Sequence, residues 1–232
     1  MERKLTWILI ISMVVIILSL AGFFPSYIGH FPQYGNFKWT IHIHFAAFSC
    51  WFLLIIIQPI LIRKKKFELH KKIGRLSYVL MPILVITIIL LRFEKLEEEL
   101  KESIELASFN TFLTFADIVS LSGYYLIAVL NSKNLRWHVA FILATTLVAF
   151  NPGLARLLNW IAPGMGMLVI LAPFIFTISI FTYEKCRLKR PILKSPYFTF
   201  FLLWFFEIIL VFTISRTGFW QDLVLSLANF LK

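Results

Sequence analysis

Acidic residues are scarce in this 232-residue chain: 12 Asp and Glu stand against 23 Lys and Arg, and charged residues of both signs make up only 15%. A soluble domain of this length carries a larger charged surface, so the shortage argues against one. Cysteine is scarcer still. Cys50 lies inside an apolar run and Cys186 in a basic loop, which excludes a disulfide framework. No Cys-x-x-Cys-His is present to attach a haem covalently. No Ser-His-Asp order, His-Glu-x-x-His or Gly-rich phosphate loop supports a hydrolase or a nucleotide-driven enzyme.

What the chain has in abundance is apolar surface, with 59% hydrophobic residues and a mean hydropathy of +0.83. Several runs approach or exceed the ~20 residues that cross a hydrocarbon core of ~30 Å. A formal net charge of +11 would suggest nucleic acid in a soluble protein. Here the basic residues gather in short loops between apolar runs, where they fix orientation, so the expected partner is the lipid bilayer and not nucleic acid.

The stretch from Trp39 to Leu91 shows the pattern most plainly. Two apolar runs flank the turn RKKKFELHKKIGR, which holds seven Lys or Arg against a single Glu68. Such a unit is a transmembrane hairpin with its turn in the cytoplasm. Extended along the chain, the same reasoning predicts an all-α, polytopic transmembrane helix bundle of about seven spans in one membrane domain. The spans fall at 7–24, 39–62, 73–91, 108–130, 138–158, 165–183 and 197–214. Ser19 and Ala21 also suit signal-peptide cleavage, but the apolar run continues past them, so the first span is expected to stay, with a cytoplasmic N-terminus and an external C-terminus.

Between the third and fourth spans, 92–107 carries six Glu and helical spacing of Leu96, Leu100 and Ile104, which predicts an amphipathic surface helix or an outward extension of the fourth span. Asn151-Pro152-Gly153 predicts a kink or a broken end in the fifth. In the tail 216–232, Phe219, Leu223, Leu227 and Phe230 share one helical face, which predicts a helix lying in the interface.

Polar residues inside the bilayer are costly and are therefore functional candidates. His44, Phe48, Trp51, Ile55 and Gln58 form one stripe on the second span; Asn110, Thr114, Asp117 and Tyr124 form another on the fourth; His138, Thr145, Pro152 and Arg156 lie near one face of the fifth; Glu207 stands near mid-membrane on the seventh. Each has a packing alternative. Asp117 and Arg156 share the outer half of the bilayer and could pair, Gln58 could satisfy backbone groups beside Pro59, and Gly74 and Gly123 could permit close helix approach.

The sharper expectation concerns His70 and His138, each at the cytoplasmic start of a span. Two imidazoles at one depth on different helices suit the axial faces of a non-covalent haem b, with Lys71, Lys72 and Arg75 near its propionates. His30, His42 and His44 could form a separate metal site on the outer side, although two helical residues subtend about 200° and so turn His42 away from His44.

The sequence HIHFAAFSCWFLLIIIQPILI, followed by LHKKIGRLSYVLMP and later by LRWHVAF and NPGLAR, resembles a family of uncharacterised bacterial multi-pass membrane proteins over about residues 39–160. The resemblance implies a bacterial inner-membrane location and carries no activity. The LHKKIG element is similar, over a handful of residues, to histidine-bearing segments of the cytochrome b561 type. That similarity implies electron transfer through paired histidines, but this chain lacks the outer histidine on a facing helix. Two function classes follow. One is a His-ligated haem protein acting in electron transfer or oxidase assembly with a membrane partner; the other is a protein that binds or transports a small molecule or proton through a polar intramembrane cavity. A purely structural membrane protein is the remaining class.

Overall fold

The structure, a computed structural model, describes residues 2–231, with side chains described from residue 9 onward apart from residue 11. Arg3 and Lys4, the basic residues ahead of the first expected span, fall outside the described side chains. Among the described residues there are helices and turns and no strand. The helices are α1 (Glu2–Phe23), α2 (Trp39–Arg63), α3 (Phe67–Gly74), α4 (Ser77–Glu102), α5 (Ile104–Leu130), α6 (Leu135–Ile161), α7 (Leu171–Leu188), α8 (Pro196–Ile214) and α9 (Gly218–Phe230). Six stretches are long and apolar enough to cross a membrane: Trp39–Arg63, Phe67–Glu102, Ile104–Leu130, Leu135–Ile161, Met165–Leu188 and Pro196–Ile214. A shorter apolar helix spans Ser12–Phe23. The chain is therefore a multi-pass, all-α membrane protein, in which every spanning backbone donor must be satisfied within its own helix.

Three details depart from the sequence-based expectation. The acidic segment prolongs the third span, not the fourth: α4 runs on to Glu102 before the chain breaks at Ser103. Ser103 then starts α5 as its N-cap, its side chain accepting from the Leu106 N–H at 3.0 Å. The extension is held by a bidentate pair two turns apart, in which Arg92 donates to both Glu99 oxygens at 3.0 and 2.5 Å with each side chain largely shielded. Secondly, the broken end expected at Pro152 is not formed, since α6 runs as one helix from Leu135 to Ile161. Thirdly, α9 lays Val224 and Ala228 inward against Leu96 and Ala107, and the Trp220 indole donates to the Ser108 carbonyl at 3.0 Å. Phe219 and Phe230, 73% and 86% exposed, keep the outward apolar face that an interfacial helix needs.

Contacts divide the chain into two compact units. The first comprises Met1–Leu91 with Pro152–Gly166, the second Arg92–Asn151 with Met167–Lys232. In the first, α1 packs on α2 and α2 on α3. Here α1 also meets α6 at a close approach of small residues. A Cβ on Gly22 would fall inside the Gly153 carbonyl, and one on Gly153 would stand 2.9 Å from Ser19 Cα. Without a hydrophobic drive between helices in lipid, such backbone approach carries much of the association. In the second unit, α8 packs against α5 and α7, and α9 against α5.

Gly123, named above as a packing glycine, has open space around its Cβ position, whereas Gly74 faces the Gln58 side chain at 3.6 Å. Gly22→Ala and Gly153→Ala should each lower the melting temperature of the purified protein, by the ~1–3 kcal/mol typical of overpacking. Gly123→Ala should be neutral or raise it, since Gly in a helix interior costs roughly 0.5–1 kcal/mol relative to Ala. Equal effects at all three sites would contradict the contact.

Candidate functional site: a buried carboxylate on α8

Within the second unit, α5 and α8 are joined by Phe112, Ala116 and Val211, and by the Tyr124 ring standing edge-on to Phe200 at 5.2 Å. Pro196 opens α8 at a position where a missing N–H costs nothing. Asp117, Ser120 and Tyr124 follow one another on α5 at spacings of three and four, which places them on one helical face. Glu207 meets that face. Its Oε2 accepts from the Ser120 hydroxyl and, at 3.4 Å, from the Tyr124 hydroxyl. Its Oε1 is buried with no hydrogen-bond partner, and the residue is 8% exposed. Asp117 is half-buried and lies within electrostatic reach of Glu207. Two acids thus share one patch of the bundle, and among the described residues of this unit no cation pairs with either.

A second buried acid in the same unit is arranged quite differently. Glu184, at the end of α7, accepts from Arg136 at 2.7 Å and Arg190 at 3.4 Å on Oε1, and from the Ser195 hydroxyl at 2.6 Å on Oε2. Two guanidinium groups and a hydroxyl satisfy its charge and lone pairs, so it ties the start of α6 and the loop before α8 to α7. Glu184 is a structural acid; Glu207 has no such compensation. Sequence reasoning named Glu207, Asp117 and Tyr124 but missed Ser120, which completes their spacing, and did not single out Glu184.

The remaining candidates have local partners. In the first unit the Tyr27 hydroxyl lies 2.6 Å from His42 Nδ1 within a cluster of Tyr34, Phe37 and Phe45. Burial, and after it the neighbouring Tyr34, raises the Tyr27 phenol above its ordinary pKa, so it serves as the donor. His44 Nδ1 stands 2.9 Å from Thr87 Oγ1, whose own proton goes to the Leu84 carbonyl, which makes Nδ1–H the donor to Thr87. His30 stacks edge-on to Phe37. The expected His30, His42 and His44 metal site is not formed. Among the described residues no three His, Cys, Asp or Glu side chains gather to hold a metal, and the helical divergence of His42 from His44 is the reason.

Arg156 rests its guanidinium over the Phe23 ring at 4.6 Å, whereas the charged group that acts on Asp117 inside its own unit is the like-charged Glu207. Gln58 presents its amide to α3: oriented to accept from the Gly74 N–H at 3.0 Å, it donates to the His70 carbonyl at 3.3 Å and faces the His70 imidazole. That is the backbone-satisfying role weighed for it above. His138 Nδ1 lies 2.8 Å from the Ala128 carbonyl, which only accepts, so Nδ1 carries the proton. His70 belongs to the first unit and His138 to the second. Lys71 pairs with Glu68 at 3.0 Å, while Lys72 and Arg75 are exposed on and just after α3.

No family model, curated protein or solved structure matches the chain.

The contrast between the two acids predicts opposite responses to neutralisation. Glu184→Gln should destabilise by about 2–3 kcal/mol, because hydrogen bonds to a charged group are lost and two arginines are left beside a neutral amide. Glu207→Gln should be neutral or stabilising, since the amide oxygen can still accept from Ser120 and Tyr124 while the variant no longer has a carboxyl that must be kept uncharged for want of a counter-ion. Thermal unfolding of the two variants in detergent measures both, and a large loss for Glu207→Gln would show compensation that the structure does not contain.

Proposed function

We propose that this multi-pass membrane protein binds a proton within the bilayer at Glu207, with Asp117 as the neighbouring acceptor and Ser120 and Tyr124 as the hydroxyls that hold the carboxyl. The observation that carries this is the unpartnered Oε1 of a nearly fully buried glutamate. A bare carboxylate at mid-bilayer costs roughly 2.5–3.5 kcal/mol even on insertion scales, and a proton removes that cost with no further ligand. A metal ion would need several converging oxygens. A small molecule would need a cavity at the carboxylate, whereas a proton needs none. Exchange of the proton between Glu207 and Asp117 would make the pair a relay of the kind that proton-coupled membrane proteins use. The seven-span count, with α1 as the first span, and the orientation with basic turns inside belong to the same proposal, supported by the charge bias of the loops.

A second reading, haem ligation, rests on His138. Its Nδ1–H is spent on the Ala128 carbonyl, so Nε2 keeps the lone pair that iron takes up, and a carbonyl of this kind fixes ring and tautomer in metal-ligating histidines.

One preparation separates the two. Dicyclohexylcarbodiimide adds to protonated carboxyls in apolar surroundings, so peptide mass spectrometry should find the adduct at Glu207, falling as pH rises and absent in Glu207→Gln. Protection by sodium would replace the proton with a cation, and an unlabelled Glu207 in folded protein would end the proton reading. The haem reading instead requires a Soret band that His138→Ala abolishes; a colourless protein expressed with haem supply rules it out.

A further inference from the structure

The turn between α2 and α4 carries a charge that the proton site does not use. From Arg63 to Arg75 seven cations stand against Glu68, which is itself spent on Lys71. Arg63, Lys64, Lys65, Lys66, Lys72 and Arg75 are all exposed, and no acid among the described residues of the first unit is paired with them. Lys65 takes a left-handed backbone, φ 56°, that reverses the chain out of α2, and Lys66 N–H then bonds back to the Leu61 carbonyl. The reversal therefore concentrates four successive cations at the end of a spanning helix.

The short helix that follows is fixed in place by its less exposed side. His70, Ile73 and Gly74 are the positions of α3 that are not fully exposed, and Gln58 of α2 holds two of them through the backbone at 3.0 and 3.3 Å. On the helical wheel Phe67 and Leu69 flank that side to left and right, 49% and 40% exposed, and Leu76 just beyond the helix is 60% exposed. The outward arc holds Glu68, Lys71 and Lys72. An apolar margin on both sides of a tethered stripe, with cations above it, is the arrangement of a helix lying in the plane of the headgroups.

We propose that this turn is a binding site for anionic phospholipid headgroups in the leaflet it faces. The phosphodiesters would be met by Lys64, Lys65, Lys66 and Lys72 while Phe67, Leu69 and Leu76 sit among the upper acyl segments. Lipid phosphate is the complementary partner because it lies at the depth where α2 ends, it is negative, and it comes with the apolar neighbourhood that three exposed hydrophobic side chains require. A soluble anion supplies only the negative charge.

The test is the thermal stability of the full-length protein in neutral phosphatidylcholine–detergent micelles, titrated with phosphatidylglycerol. The wild type should show a saturable rise of several degrees that high salt removes. The triple variant Lys64→Gln, Lys65→Gln, Lys66→Gln should lose most of the rise. The triple variant Lys185→Gln, Arg187→Gln, Lys189→Gln, equally exposed and equal in charge removed, should keep it. Native mass spectrometry of the same samples should find phosphatidylglycerol retained by the wild type and released by the first variant. An equal rise with phosphatidylcholine, an equal rise with inorganic phosphate, or equal loss in the two variants would each overturn a local lipid site.

Discussion

The cost of a charge away from water governs this molecule more than any other term. Hydrocarbon supplies no hydrogen bonds and little dielectric screening, so each ionised group within reach of it must find a counter-charge, an aromatic face or a path to the headgroups. The chain meets the demand in different ways. Arg92 and Glu99 close on each other along one helix, Arg136 and Arg190 converge on Glu184, and Arg156 lays its cation on the Phe23 ring. Among the described residues Glu207 has none of these, and Asp117 beside it adds to the deficit. The site proposed for this protein is thus a place where that rule is left unmet.

The same solvent shapes the packing. Leucine gains nothing by leaving lipid for another leucine, so close approach depends on small side chains and on hydrogen bonds that cross between helices. Ser19, Gly22 and Gly153 supply the first kind. Gln58 on His70 and Gly74, His44 on Thr87, and Trp204 on the Ile170 carbonyl supply the second. Prolines 59, 82 and 152 remain inside helices because the rest of each helical backbone and its neighbours absorb one missing donor.

Much of this was legible in the sequence. Hydropathy located the helices, and the stripe through His44, Phe48, Trp51, Ile55 and Gln58 does run along one side of α2, with Trp51 and Ile55 buried. The near-opposite directions of His42 and His44 followed from 3.6 residues per turn alone. What could not be read was tertiary. Nothing local shows that the acidic segment continues α4 up to Ser103, because its helical spacing is the same whichever span it prolongs. Glu184 could not be singled out because its two arginines lie 48 positions before it and 6 after it. Ser120 was passed over for the same reason: a serine in an apolar helix is ordinary until Glu207, 87 residues away, is set against it.

The central claim is that Glu207 carries a proton where no counter-charge meets it, and infrared absorption reads that state directly. In membranes at neutral pH, the wild type should show the C=O stretch of a protonated, sparsely hydrogen-bonded carboxyl group. Glu207→Gln should lose that band, while Asp117→Asn should shift it. A wild-type spectrum with carboxylate stretches alone, or a protonated band that persists unchanged in Glu207→Gln, would contradict the account.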